Sequence, residues 1–272
     1  VVDRARRVPA KLRPDTVKTS ALKINENFIT SSIMEIIPAI DIRNGKCVRL
    51  LQGRYDEETI YGDDPLEMAC RFESEGATRL HVVDLDGARD GAPTNLPIIS
   101  RIAQTLKIPV QTGGGLRMRD DVAGVLQAGI ARCIIGTKAA REPQWAQQIF
   151  AEFGEQIVLG LDARDGFVAV SGWEESTQLP AAHFAQTMQS FGCARIIFTD
   201  IARDGTLAGP NAAALREICE AVEIPVIASG GVHKTSDIRI LKNIAGVEGA
   251  IVGKALYEGT ASLPQLLKVA GE

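Results

Sequence analysis

Apolar residues fall along this chain in short unbroken runs, separated by glycine turns and by longer stretches with a helical period. From Met34 onward eight such runs recur, at 35–40, 79–83, 109–111, 132–135, 157–161, 194–198, 225–228 and 249–252. They do not alternate apolar with polar, which is the pattern of parallel strands covered on both faces. Between them the spacing predicts helices at 65–75, 96–106, 118–128, 143–153, 180–191, 211–221, 236–244 and 263–269. The first begins Asp64-Pro65, a cap followed by a first-turn proline. Gly76, Gly129, Gly154 and Gly192 stand where left-handed C-caps belong. Eight strands each followed by a helix predict a (β/α)8 TIM barrel, with an open doubly wound sheet as the rival.

The second half of the pattern repeats the first, which favours a closed barrel built from two (β/α)4 half-barrels. Ile37-Pro-Ala-Ile-Asp41 matches Val158-Leu-Gly-Leu-Asp162, and the string from His81 to Gly91 matches Arg195 to Gly205. Val110-Gln-Thr-Gly-Gly-Gly115 matches Ile227-Ala-Ser-Gly-Gly231, and Cys133 to Ala139 matches Ala250 to Ala255. The offsets stay between about 114 and 121 residues, too long for a solenoid unit and right for a half-domain.

Composition adds only bounds. The chain has 272 residues, is 45% hydrophobic and carries a net charge of −4, so it has material for a full core and no basic footprint for nucleic acid or an anionic membrane. No apolar run approaches the roughly 20 residues that span a bilayer. Five scattered cysteines without ligand spacing read as reduced thiols in a cytoplasmic protein, with no metal site. Residues 1–33 differ: seven Lys or Arg against Asp3, Asp15 and Glu26 give +4, leaving −8 for the rest. That make-up fits an organellar transit peptide or upstream sequence outside the folded protein. The second reading is preferred, because Met34 stands just before the first strand. A disordered basic extension over 1–33 and a catalytic barrel over 34–272 are expected.

In such a barrel the chemistry lies where strands end and βα loops begin. Asp41 and Asp162 end strands one and five, on opposite sides of a central pocket, and suit paired acid and base work. Gly113-Gly114-Gly115 and Gly136-Thr137 end strands three and four; Gly230-Gly231 and Gly253-Lys254 end strands seven and eight. Glycine after a strand lets backbone N–H groups approach an anion, so two copies imply a substrate with a phosphate at each end. Arg117 can bind a phosphate or a carboxamide. Trp173, in a glycine-containing loop, can stack on a flat heteroaromatic ring. Asp84, Asp86, Thr199, Asp200 and Asp204 end strands two and six, and the sequence does not sort substrate contacts from loop fixers among them. His81 reads as lying at the wrong end of its strand for catalysis, and His233 as a neighbour of the second phosphate loop. No nucleophile elbow, Walker loop or nicotinamide fingerprint is present.

These residues together resemble the isomerase family of histidine biosynthesis. The resemblance rests on Ile-Pro-Ala-Ile-Asp41, Gly45-Lys-Cys-Val-Arg-Leu-Leu-Gln-Gly53, Val83-Asp-Leu-Asp-Gly-Ala88, Gly113-Gly-Gly-Leu-Arg117, Thr199-Asp-Ile-Ala-Arg-Asp-Gly-Thr206 and Ser229-Gly-Gly-Val232. It runs in order from Met34 to about Glu272. It implies an Amadori rearrangement of a bisphosphorylated aminoaldose, phosphoribosylformimino-5-aminoimidazole carboxamide ribotide, to its aminoketose, without cofactor or metal. By resemblance Asp41 is the base that moves the C2 proton, Asp162 the acid that opens the ribose, and Thr199 a support for the opened sugar. Asp204, Arg117 and Trp173 fall at the family's substrate contacts. A monomer is expected. Three other readings stay open. A sister cyclase shares both aspartates, but has a lysine soon after the first and a glutaminase partner. A dual-substrate relative also isomerises phosphoribosylanthranilate. A non-catalytic sugar-phosphate binder would gain nothing from two carboxylates.

Overall fold

The computed structural model describes Val1 and residues 34–272. The expectation for the N-terminal extension therefore lies, from residue 2 to residue 33, outside the described residues. Eight strands carry the barrel: β1 (Glu35–Arg43), β4 (Leu80–Asp84), β5 (Val110–Gly113), β6 (Arg132–Ile135), β7 (Ile157–Arg164), β10 (Ile196–Asp200), β11 (Val226–Ser229) and β12 (Val247–Val252). Each pairs in parallel with the next. The pairing of β12 with β1, Glu35 opposite Gly249, closes the ring. The eight runs predicted from apolar continuity are these strands, with ends moved by at most three residues.

The predicted helices are present too. The first, Pro65–Ser74, shows why: Asp64 accepts from the Leu66 N–H at 2.9 Å, Pro65 opens the first turn, and Pro65, Ala69 and Phe72 are buried. Three short helices escaped the pattern: Leu85–Asp90, Thr137–Arg141 and Lys254–Tyr257. So did two antiparallel hairpins. β2 (Lys46–Leu51) with β3 (Arg54–Gly62) follows β1; β8 (Phe167–Val170) with β9 (Glu175–Pro180) follows β7. They occupy the same place in each half-barrel, so the duplication extends to them.

Two hydrophobic layers hold the barrel. The larger lies between strands and helices. The smaller lies inside the ring, where Ile37, Ala39, Val158, Ile197, Ile227 and Ile251 pack together against Ile134. Period-two alternation puts Asp41 four residues above Ile37 on the same inward face, so this apolar layer is the floor on which the polar cavity rests. Ile227 is fully buried there. Truncating it to alanine should cost about 2–5 kcal/mol, as a buried isoleucine does.

Candidate active site

Above the isoleucine layer, at the C-terminal ends of the strands, lies a cavity of about 280 Å³. It is lined by Asp41, Gly114, Gly115, Arg117, Gly136, Thr137, Asp162, Trp173, Thr199, Asp204, Gly230, Gly231, Gly253 and Lys254, all candidates from the sequence. The barrel thus brings together residues spread over more than two hundred positions of chain.

Asp41 lies two residues before the end of β1 and is buried. Burial raises its pKa, and the Arg49 guanidinium pulls it back, donating from Nη1 to Asp41 Oδ2 at 2.8 Å. Asp162 ends the inward face of β7. Burial raises its pKa as well, but only neutral donors stand beside it, the Trp173 indole and the Thr199 hydroxyl. Thr199 is placed by the ladder, directly opposite Asp162 on β10. Asp204 is the third carboxyl in the cavity. Burial pushes its pKa up to about 6; Arg49 opposes the rise, Asp41 and Asp162 add to it, and Lys254 opposes it.

The other acidic candidates sort cleanly. Asp84 accepts from the N–H groups of Gly87, Thr94 and Asn95 and from Asn95 Nδ2, all within 2.8 Å, so its oxygens are spent on fixing a loop. Asp86 accepts from the Asn44 N–H at 2.7 Å and from Asn95 Nδ2 at 2.9 Å. Asp200 accepts from the Ala202 N–H and from Asn211 Nδ2. None of the three lines the cavity.

The glycine loops face the cavity, and they also press on the protein. At Gly115 φ is +78°, and a side chain would strike the backbones of Gly87 and Ala92 at 2.6–2.8 Å. A valine there would damage the fold before it touched a phosphate, so Gly115→Val is a poor test of anion binding. Gly253 is different: a side chain would fall on the Arg49 guanidinium, 1.1 Å from Nη2. Thr137 and Lys254 are partly engaged. The Thr137 hydroxyl accepts from the Ser171 N–H at 3.0 Å, and Lys254 Nζ donates to the Gly205 carbonyl at 2.8 Å. Arg117 reaches the rim and donates to the Ala88 carbonyl at 3.3 Å. Trp173 sits at the tip of the β8–β9 hairpin with φ +75°, beside Gly53 at the tip of the β2–β3 hairpin. The two missed hairpins therefore meet over the cavity.

The sequence left the weight of Arg49 unread and misjudged His81. Arg49, on β2, joins Asp41 to the loop at Gly253; its only local signal was a charge inside the apolar string Cys47-Val-Arg-Leu-Leu51. His81 corrects an expectation. It is the second residue of β4, faces inward, and lines the cavity. Burial, with Arg49 nearby, pulls its pKa down to about 3, so the imidazole is neutral, with Nδ1 3.2 Å from Gln111 Nε2.

A family model described as "Histidine biosynthesis protein" matches residues 35–262. The chain is 51% identical over 237 residues to a protein of Thermoanaerobacter pseudethanolicus, covering 87% of this chain and 100% of that one. It is 52% identical over 230 residues to one from Dehalococcoides mccartyi, covering 85% and 97%. It is 49% identical over 240 residues to one from Synechocystis sp., covering 88% and 94%. All three are named 1-(5-phosphoribosyl)-5-((5-phosphoribosylamino)methylideneamino)imidazole-4-carboxamide isomerase.

Proposed function

The chain belongs to the histidine biosynthesis protein family, and from that premise we propose how its two half-barrels divide the work of an isomerase. The enzyme converts the aminoaldose named in its relatives to the corresponding aminoketose, an Amadori rearrangement within histidine biosynthesis. Asp162 is the acid. Its carboxyl is buried with no cation beside it, so the protonated form is favoured. It gives that proton to the ribose ring oxygen; the C1–O bond breaks, and the nitrogen lone pair closes a C1=N bond. Asp41 is the base. Arg49 favours its ionised form, and it takes the C2 proton while the electrons move toward nitrogen and leave an enaminol. Return of a proton to C1 and loss of the C2 hydroxyl proton give the ketone, with atoms and charge unchanged. Thr199 holds a hydroxyl of the opened sugar. Gly114, Gly115, Gly136 and Thr137 cradle one phosphate; Gly230, Gly231, Gly253 and Lys254 cradle the other. Arg117 and Asp204 hold polar groups of the ligand, and Trp173 covers the imidazole ring.

The observation that carries these roles is the placement of Asp41 and Asp162. They occupy repeat-related strand ends in one cavity and have unlike partners. We read the protein as a monomeric cytoplasmic enzyme. Turnover of the bisphosphate substrate tests the assignment. Asp41→Asn and Asp162→Asn should each lose about 10²–10⁴-fold while the fold survives. Turnover within about threefold of wild type would remove that residue from its role. A phosphorus NMR titration with a bisphosphate inhibitor should show both phosphates held; one free phosphate would defeat the two-cradle reading.

A further inference from the structure

The interior of the barrel has a second polar end. Below the isoleucine layer, alternation carries four charged residues onto the inward face: Glu35 in phase with Ile37, Arg79 with His81, Arg132 with Ile134, and Arg195 with Ile197. A fifth enters by a bulge. Between β11 and β12 the register passes from Val226–Val247 to Ile227–Gly249, leaving Glu248 as an extra residue that turns to the ring.

Both carboxylates in this ring are taken. Arg79 Nε lies 3.2 Å from Glu35 Oε2, and Thr78 Oγ1 donates to Glu35 Oε1. Arg195 forms a two-pronged pair with Glu248, Nη2 to Oε2 at 3.2 Å and Nε to Oε1. These side chains are only 15–28% exposed. Arg132 is left over. Its Nη1 is buried and has no hydrogen-bond partner among the described residues. Burial lowers its pKa, with Arg79 and Arg195 adding to the effect and Glu248 and Glu35 opposing it, which places all four within electrostatic reach. Three guanidinium groups thus face two carboxylates, and one donor of the half-buried Arg132 is enclosed without a partner among the described residues. An unmet charged donor away from water is costly, and an anion of one charge would satisfy both the donor and the imbalance.

We propose that this ring at the N-terminal end of the barrel binds one small singly charged anion, a halide or a carboxylate, through Arg132 Nη1 with Arg79 and Arg195 alongside. The isoleucine layer separates it from the catalytic cavity, so the site acts on stability rather than on turnover.

The test uses melting of the full chain at constant ionic strength, with a bulky morpholinoethanesulfonate replaced stepwise by chloride or by formate. Wild type should gain about 3 °C at an anion concentration tenfold above its Kd. Arg132→Met should lose that gain and keep its turnover. Any anion effect from the phosphate cradles is common to both proteins and cancels in the difference. Glu35→Gln, which releases Arg79, should reach the same gain at lower anion concentration. Chloride-35 NMR on wild type alone gives a readout that needs no variant: the line should broaden with protein and sharpen again with formate. An equal chloride gain in Arg132→Met, an unchanged midpoint in Glu35→Gln, or a line width indifferent to formate would each overturn the proposal.

Discussion

In the first half-barrel the carboxyl at the end of β1 faces an arginine; in the second, the carboxyl at the end of β7 faces a tryptophan and a threonine. The repeat makes these differences easy to locate. Arg49 on β2 corresponds to Val170 on β8, and Thr199, opposite Asp162 on β10, corresponds to Val83, opposite Asp41 on β4. The same Ala-Arg-Asp-Gly string follows β4 and β10, yet its two aspartates go to opposite places. Asp90 closes a short helix and pairs with Arg89 in solvent, while Asp204 turns into the cavity. Duplication supplies a symmetric frame, and a few side chains break its symmetry where charge matters. Two carboxyls in identical surroundings would titrate alike. Here one has a cation and the other has none, and this separation lets one serve as acid and the other as base at one pH.

The Asp90 and Asp204 contrast gives the largest effect. Asp204 has a folded-state pKa of about 6 against 3.8 for the free group. The folded state therefore holds this proton more tightly than the unfolded chain does. Below the lower value both states are protonated and nothing is lost. As pH rises through about 6 the folded state must ionise a buried acid, and stability falls by up to roughly 3 kcal/mol. Asp204→Asn should thus match wild type near pH 4 and melt several degrees higher above pH 7. Asp90→Asn should move neither curve by more than about 1 °C, as befits a surface pair. A thermal scan across pH decides it; equal behaviour of the two variants would erase the contrast.

Arg49 sets the next effect. Removing the cation while keeping bulk, as Arg49→Met, leaves Asp41 with burial alone, and its pKa rises. A base must be ionised to act, so the acid limb of the kcat/KM profile should move to higher pH. Losing a charge-assisted contact of about 1.5–2 kcal/mol should cost roughly 10–30-fold in kcat/KM at neutral pH. A profile that falls in height without moving would mean that Arg49 holds substrate and does not tune Asp41.

What could be read from the sequence follows from where each element gets its stability. Barrel strands such as 157–161 are buried on both faces, so their apolar runs carry their identity in local composition. The β2–β3 and β8–β9 hairpins were missed because they rise out of the barrel. β3 is Arg-Tyr-Asp-Glu-Glu-Thr-Ile-Tyr-Gly, largely exposed, and β9 is similar. Asp41 and Asp162 were legible because repetition marked them. Arg49 was not, since its importance comes from Asp41 and from Gly253, two hundred residues away in sequence. His81 was misplaced because strand direction alone does not reveal how deep the cavity reaches. Asp84, Asp86 and Asp200 look like Asp204 in sequence; only their hydrogen bonds separate loop fixers from a cavity carboxyl.

The smallest effect tests whether the halves can be made more alike without harm. Behind the β1–β2 turn, Ile98 fills the corner between helix and strand, with its Cδ1 facing Gly45 at 3.7 Å from where a side chain would start. The repeat-related corner holds Ala214 in place of Ile98, and nothing lies within 4 Å of that point at Gly166. A second cavity of about 250 Å³ opens there, lined by Ala163, Gly166, Phe198, Ala214 and Ile218, with Asp165, Asp200, Arg203, Asn211 and Glu217 among its polar walls. Ala214→Ile adds three carbons to the wall of a space several times their volume, so overpacking does not arise. Part of the added surface meets polar groups, which limits the gain to about 1 kcal/mol, or a rise of about 2–4 °C in melting temperature. Turnover should stay at the wild-type level, because Ala214 lines no part of the catalytic cavity. A stabilised but slower enzyme would show instead that the open corner serves the loop carrying Asp204, and that the second half-barrel keeps it open for motion.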